Sequence, residues 1–364
     1  MALGLCPPFP PTNEVPIRID LSNEMQPSIP WELKLVKVLV PYEDEEIVNT
    51  IQSILGDEAE VVVSSRDPEA MIKVGGDAVA VASGRVPGEY IRAASKLRMI
   101  QAFGAGIDKI DHDAVRERED IVVCNSHANA AEVSEYTIML LLAAAKNIIV
   151  SDRELRKGDW SRGWGGSRPN IEIRGKTCLL IGLGNVASAI AERLKPFDMQ
   201  LHAVTRTGSS AKADLVDKIS SIRNIESAVR DADFIILALP LTKDSKCLVD
   251  ERFLSWMKPS SILVNISRGP IVDEKALYSA LVEGRIGGAA LDVWWEYPRK
   301  RKGVIKPPSN DFAFHELDNV VLSPHRAAYS EGIMNEQIRF VGENILRFIR
   351  GEKPWNVIDM NLGY

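Results

Sequence analysis

Short apolar runs rich in β-branched residues recur along this chain, separated by stretches with helical spacing. One series falls at residues 36–40, 60–64, 78–82, 99–103 and 121–124, and a second at 178–181, 201–204, 234–239, 262–265, 289–291 and 320–322. Runs this short, alternating with amphipathic segments, predict parallel sheets covered by helices on both faces. Between the two series a long helix is predicted over about 129–156, with Glu132 and Glu135 near the end where the helix dipole favours negative charge. Its length suggests a connector between two α/β domains. A loop rich in Gly, Trp and Arg follows at 158–172, and an amphipathic helix over about 330–350 is expected to lead the chain back to the first domain. Residues 1–33 are proline-rich and polar without a sustained period, and read as an extension. The expected organisation is an extension (1–33), a discontinuous first domain (34–145 and 330–364) and a second domain (146–329).

Composition narrows the function classes. At 364 residues the chain can fill two cores, and 45% hydrophobic with 26% charged residues is ordinary for a soluble globular protein. A net charge of -6 offers no basic face for nucleic acid. The one dense cationic run, Arg299-Lys300-Arg301-Lys302, reads as a solvated loop ahead of a phosphate patch. Cys6, Cys124, Cys178 and Cys247 are scattered with no CxxC pair, so neither a metal site nor an oxidising compartment is called for. The longest strictly apolar run, 138–145, is too short for a bilayer, and the N-terminus lacks the pattern of a secretory signal. The expectation is a cytoplasmic protein with no membrane partner.

The second series opens with an apolar strand at 176–181 that runs into Gly182-Leu183-Gly184-Asn185-Val186-Ala187 and then a helix to 194. Gly182 permits the tight turn, and Gly184 lets backbone N–H groups of Asn185 and Val186 and the helix dipole approach a pyrophosphate. Ala187 takes the third glycine position. A glycine turn alone can serve packing, but strand, turn, helix and next strand arrive on schedule for a dinucleotide. At the end of that next strand stands Thr205-Arg206-Thr207, where an acid would hold the adenosine ribose hydroxyls. Without the acid a 2'-phosphate is not repelled, and Arg206 can pair with it. NADP(H) is therefore expected ahead of NAD(H).

Downstream come Val264-Asn265-Ile266-Ser267-Arg268-Gly269, then Asp292-Val293-Trp294-Trp295-Glu296-Tyr297-Pro298, then Ser323-Pro324-His325. A guanidinium can hold a carboxylate, and a histidine can pass a proton near neutral pH. Beside a hydride carrier the pair suggests reversible reduction of a 2-keto acid. These blocks, with Gly104-Ala105-Gly106-Ile107-Asp108, Ala232-Asp233, Pro240-Leu241-Thr242, Met257-Lys258-Pro259 and Val272-Asp273-Glu274, make residues 35–350 resemble the D-isomer-specific 2-hydroxyacid dehydrogenases. The resemblance implies a flavodoxin-like substrate domain and a Rossmann-type nucleotide domain, both doubly wound parallel sheets. It places the active site between them and a homodimer contact on the nucleotide domain. It implies that Arg268 orients the substrate carboxylate and polarises the keto oxygen, that His325 exchanges a proton with that oxygen, and that Asp292 lies near the nicotinamide. Pro240 and Ile266 fall in its cofactor-binding blocks, and Gly84, Arg85, Ala105 and Gly106 in its substrate loops. Glyoxylate or hydroxypyruvate is the small 2-keto acid expected.

One departure stands out. The family pattern places Glu immediately before the proline to pair with the histidine, whereas here Tyr297 holds that position and Glu296 stands one residue early. Glu296 is the candidate partner, with Tyr297, Glu316 and Glu331 as alternatives. The displaced acid also keeps open a catalytically silent, nucleotide-sensing corepressor-like protein on the same fold. His127 is read as a capping or packing residue ahead of a contact to the nicotinamide end. Arg85 meets either solvent or a distal anionic group of the substrate.

Overall fold

The computed structural model describes residues 36–166, 169–298 and 303–363. The extension at 1–33 and the cationic run 299–302 lie outside the described residues. By its internal contacts the chain forms two compact units, one running to Ser126 and resuming at Asn335, the other spanning His127–Met334.

The first unit contains β1 (Val36–Val40), β2 (Ala59–Val63), β3 (Ala80–Ala82), β4 (Arg85–Val86), β5 (Met99–Gln101), β6 (Lys109–Ile110) and β7 (Val122–Cys124). Five of these form an all-parallel sheet in the order β2-β1-β3-β5-β7, while β4 and β6 make a short parallel ribbon. Counting only the sheet's own strands, the order is that of the flavodoxin-like doubly wound fold. One face packs Leu39, Val81 and Ile100 under Tyr90 and Ile91. The other packs Val38, Val40 and Ala80 against Ile338, Val341 and Ile345 of the returning helix, Ile333–Ile349. Buried Asn344 fastens that helix by donating to Gln101 Oε1 at 2.7 Å.

The second unit contains β8 (Thr177–Ile181), β9 (Gln200–Thr205), β10 (Lys218–Ser221), β11 (Phe234–Leu237), β12 (Ile262–Asn265), β13 (Gly288–Leu291) and β14 (Val320–Leu322). They form one parallel sheet in the order β10-β9-β8-β11-β12-β13-β14. This is the Rossmann order with one strand added, and its topological switch point falls between β8 and β11. Phe234–Leu237 is buried throughout, as a strand covered on both faces must be. Ile235 and Leu237 point to one core with Leu179 and Leu263, Phe234 and Ile236 to the other with Leu180 and Val264.

The predicted connector helix is two helices, Ala130–Ala145 and Ile148–Leu155, bent by 63°. The break is at Asn147, whose φ of 51° is left-handed, a conformation asparagine tolerates and most residues do not. Ala130–Ala145, expected with the first domain, packs in the second unit against helix Asn185–Leu194 and strands β12 and β13. Among the described residues no single helix is long and apolar enough to cross a membrane.

Candidate active site

At the switch point, Gly182 follows β8 with φ +99°, and a Cβ there would lie 2.3 Å from the Ala238 carbonyl oxygen beyond β11. Both the dihedral and the approach of two backbones require glycine. Gly184 caps helix Asn185–Leu194, and a Cβ on it would meet nothing within 4 Å. The helix N-terminus therefore faces open space, the cradle a pyrophosphate needs. Ala187 is fully buried in the core beneath. Lys212 Nζ donates to Asn185 Oδ1 at 2.6 Å, bringing an ammonium to the same helix end.

Beyond β9, the Thr205 hydroxyl accepts from Gly208 N–H at 3.0 Å and donates to the Ser209 carbonyl at 3.1 Å. The Thr207 and Ser209 hydroxyls are 2.9 Å apart. This turn is closed by hydroxyls, and Arg206 and Thr207 are exposed on it. The arrangement fits a dinucleotide. Pro240, following β11, is exposed, and its carbonyl accepts from Ser245 Oγ at 2.7 Å.

Arg268 follows β12 on a turn shaped by Asn265. The Asn265 amide donates to the Arg268 carbonyl at 3.0 Å, and its oxygen accepts from Ser267 N–H at 3.0 Å. Ser267 Oγ donates to the Leu237 carbonyl at 2.7 Å and accepts from Leu239 N–H at 3.1 Å, tying this turn to the end of β11. Ile266 lies half-buried between them. A Cβ on Gly269 would lie 2.3 Å from the Trp294 carbonyl carbon. The Arg268 turn and the loop after Asp292 are thus in backbone contact. Arg268 itself is half-buried and donates to the Ser267 carbonyl at 2.7 Å.

Asp292, 1% exposed, follows β13. One carboxylate oxygen accepts from Ser323 Oγ and from Arg326 N–H at 2.9 Å, the other from Ala327 N–H at 3.0 Å. Those donors bracket His325, whose φ of +57° costs a non-glycine residue about 1–2 kcal/mol. The carboxylate thus holds the histidine turn in a conformation it would not otherwise keep. Trp294 Nε1 donates to the Ser323 carbonyl at 2.9 Å, and its backbone N–H donates to the Tyr297 hydroxyl at 3.0 Å. The Tyr297 ring lies 5.3 Å from the His325 ring, inclined at 46°. Glu296 is exposed and accepts from Asn310 Nδ2. Of the two neighbouring residues, Tyr297 is the one whose side chain lies against the histidine.

In the first unit two loops leave the C-terminal ends of adjacent strands β3 and β5. Buried Ser83 donates to the Arg85 carbonyl at 2.8 Å and accepts Arg85 N–H at 3.1 Å, bending the chain at Gly84, while the Arg85 side chain is exposed. Asn125 Nδ2 donates to the Ala105 carbonyl at 2.9 Å and fixes the Ala105–Gly106 turn.

His127 Nδ1 is buried without a hydrogen-bond partner, and burial, aided by the Lys212 charge, holds the imidazole below its usual pKa. Sequence reasoning passed over Asn265 and Ser323 as functional residues. An asparagine three residues before the arginine was the available signal, since Asx side chains close such turns.

A sequence profile described as D-isomer specific 2-hydroxyacid dehydrogenase, NAD binding domain, matches residues 138–327. The chain is 34% identical over 286 residues to a glyoxylate reductase of Pyrococcus horikoshii, covering 77% of this chain and 82% of that protein. It is 35% identical over 333 residues to a D-3-phosphoglycerate dehydrogenase of Methanocaldococcus jannaschii, covering 90% of this chain but only 60% of that relative. Its fold superposes with a TM-score of 0.73 on an NADPH-dependent glyoxylate/hydroxypyruvate reductase from Sinorhizobium meliloti, at 27% identity over 90% of this chain and 98% of the other. With these likenesses and the glycine turn, the chain belongs to the D-isomer-specific 2-hydroxyacid dehydrogenases, a family of NAD(P)-dependent oxidoreductases.

Proposed function

We propose that this protein reduces a small 2-keto acid, glyoxylate or hydroxypyruvate, to the D-2-hydroxy acid with NADPH, reversibly. The observation that carries the reading is the clamped histidine turn, with Asp292 fixing the turn at His325 while the loop after Asp292 lies in backbone contact with the Arg268 turn. When bound, the nicotinamide supplies the hydride that adds to the keto carbon. Arg268 holds the substrate carboxylate and draws electron density from the keto oxygen. His325 gives a proton to that oxygen and, in oxidation, takes it back. Gly84, Arg85, Ala105 and Gly106 are assigned to the substrate, making the first unit the substrate domain and the second the nucleotide domain. Gly182, Gly184, Asn185, Val186, Pro240, Ile266 and Asp292 are assigned to the cofactor.

NADPH is preferred in this reading because exposed Arg206 and Thr207 follow β9 with no carboxylate among Thr205, Arg206 and Thr207 to repel a 2'-phosphate. The Sinorhizobium reductase, described as NADPH-dependent and bound to NADP and malonate, supports both the cofactor and a small anionic substrate. A homodimer in the cytoplasm completes the proposal. Ile148, Ile149, Trp160 and Trp164 of the second unit are 52% or more exposed, apolar side chains that a second copy would cover.

Steady-state kinetics on a panel of 2-keto acids with each cofactor tests the reading. Turnover of glyoxylate or hydroxypyruvate with kcat/KM higher for NADPH is expected. Cofactor binding without oxidation across the panel would restore the nucleotide sensor.

A further inference from the structure

We infer that Tyr136, on helix Ala130–Ala145, is a positioning residue for the His325 turn, acting through Ser323 and Asp292. The inference rests on the proposed role of His325 as proton donor. The Tyr136 hydroxyl lies 2.9 Å from Ser323 Oγ, which itself touches Asp292 Oδ1. Direction follows from proton count. A carboxylate only accepts, so the single hydroxyl proton of Ser323 goes to Asp292. Ser323 Oγ then has lone pairs alone to offer, and Tyr136 must be the donor. The relay therefore runs one way, from phenol to serine to carboxylate, and the carboxylate at its end also accepts the Arg326 and Ala327 N–H groups that directly follow His325.

Every other polar group of Ser323 is committed. Its N–H donates to the Leu291 carbonyl at 2.8 Å, and its carbonyl accepts from Trp294 Nε1 at 2.9 Å. The backbone is thus pinned, and the hydroxyl rotor is the remaining freedom. Asp292 draws the serine proton, and the phenol O–H donated to Ser323 Oγ holds that oxygen in place and strengthens its bond to the carboxylate. Without the phenol O–H, Ser323 Oγ loses the donor that polarises it, its own hydrogen bond to Asp292 weakens, and the left-handed turn at His325 gains alternatives. Ser323 and Asp292 are 4% and 1% exposed, so water offers little replacement. The phenol reaches this network from 187 residues away in sequence, on a helix the proposed chemistry does not otherwise use.

The test compares Tyr136→Phe, Ser323→Ala, their double variant and His325→Asn in the full chain. Single-turnover oxidation of bound NADPH by glyoxylate is followed, with cofactor affinity from fluorescence titration and folding from thermal melts. Tyr136→Phe is expected to slow hydride transfer roughly 3- to 10-fold, the worth of one hydrogen bond. Keto-acid KM and cofactor affinity should stay within about twofold of the parent, since the relay is predicted to act on the transfer step. The double variant should be no slower than Ser323→Ala alone, because both cut the same relay. Additive losses, or a Tyr136→Phe rate equal to the parent while His325→Asn is inactive, would overturn the inference and leave the proposed chemistry standing. Full turnover by His325→Asn would overturn the proposed proton donor and this inference with it.

Discussion

Asp292 carries more of the site than the proposed contact to the nicotinamide requires. Its two oxygens divide three donors, Ser323 Oγ and Arg326 N–H on one and Ala327 N–H on the other. An amide at this position can satisfy only one side. In Asp292→Asn the NH2 group would face the Ala327 N–H, leaving a buried donor unsatisfied at about 1–3 kcal/mol. The melting temperature should fall by roughly 5 °C, and turnover by at least about tenfold as the His325 turn loosens. A variant that melts and turns over like the parent would take Asp292 out of this role. Glu296 gives the opposite expectation. Open to solvent and engaged by Asn310, its carboxylate meets the full dielectric of water, where even a charge 4 Å away is worth only about 1 kcal/mol. The pH profile of Glu296→Gln should therefore overlay the parent's, and a drop in the kinetic pKa of the histidine step would return Glu296 to the mechanism. For Arg206, one charge-assisted contact to a 2'-phosphate is worth about 1.5–3 kcal/mol. Arg206→Ser should lower kcat/KM for NADPH roughly 10- to 100-fold and leave NADH nearly untouched, whereas equal losses with both cofactors would move the arginine off the 2'-phosphate.

At the scale of elements, the strand after strand that periodicity predicts is what the fold delivers, because strands buried on both faces must be apolar at every position. The glycine turn was legible for the same kind of reason, since only one residue type meets both of its constraints. Gly182→Ala would put a Cβ 2.3 Å from the Ala238 carbonyl oxygen at φ +99°, adding backbone strain of at least about 1–2 kcal/mol. It should lower the melting temperature and weaken binding of both cofactors together, and a normal Kd for either would contradict the role given to this turn. Other motif blocks proved to be joints. Asp233 accepts Thr177 N–H at 3.0 Å and Lys258 Nζ at 3.0 Å, and Asp273 caps helix Glu274–Val282. The break at Asn147 was not legible, because helical periodicity continues through it and the left-handed residue shows only in the backbone. Nor was the relay from Tyr136, whose partner is distant in sequence and whose hydroxyl leaves no mark on the apolar pattern.

For the whole molecule, the order of short apolar runs marks all five strands of the first sheet and six of the seven in the second, because parallel strands joined by crossover helices follow few topologies. The edge strand β10, Lys218-Ile219-Ser220-Ser221, was missed because it has no apolar run. What the pattern could not give was which unit the helix Ala130–Ala145 joins, since a helix buried on most sides has no single face to read. Its neighbour Ile148–Leu155 bears on assembly. Ile148 and Ile149 are 53% and 52% exposed, Leu155 49%, Trp160 77%, and Trp164 is fully exposed. Tryptophans and isoleucines gathered within 17 residues of one unit would be a solubility burden on a monomer, and aromatic anchors of this kind dominate protein interfaces. Covered by a second copy, each would be removed from water at about 25 cal/mol per Å² of apolar area. A buried, unpaired carboxylate would cost several kcal/mol instead. Ile149→Glu combined with Trp164→Glu should therefore shift sedimentation from dimer to monomer at micromolar concentration. Neither side chain is buried within its own unit, so the melting of the separated chain should fall only by what the lost association contributed, and should become independent of protein concentration. A parent that sediments as a monomer would refute the assembly outright. A doubly substituted dimer would place the contact on another face.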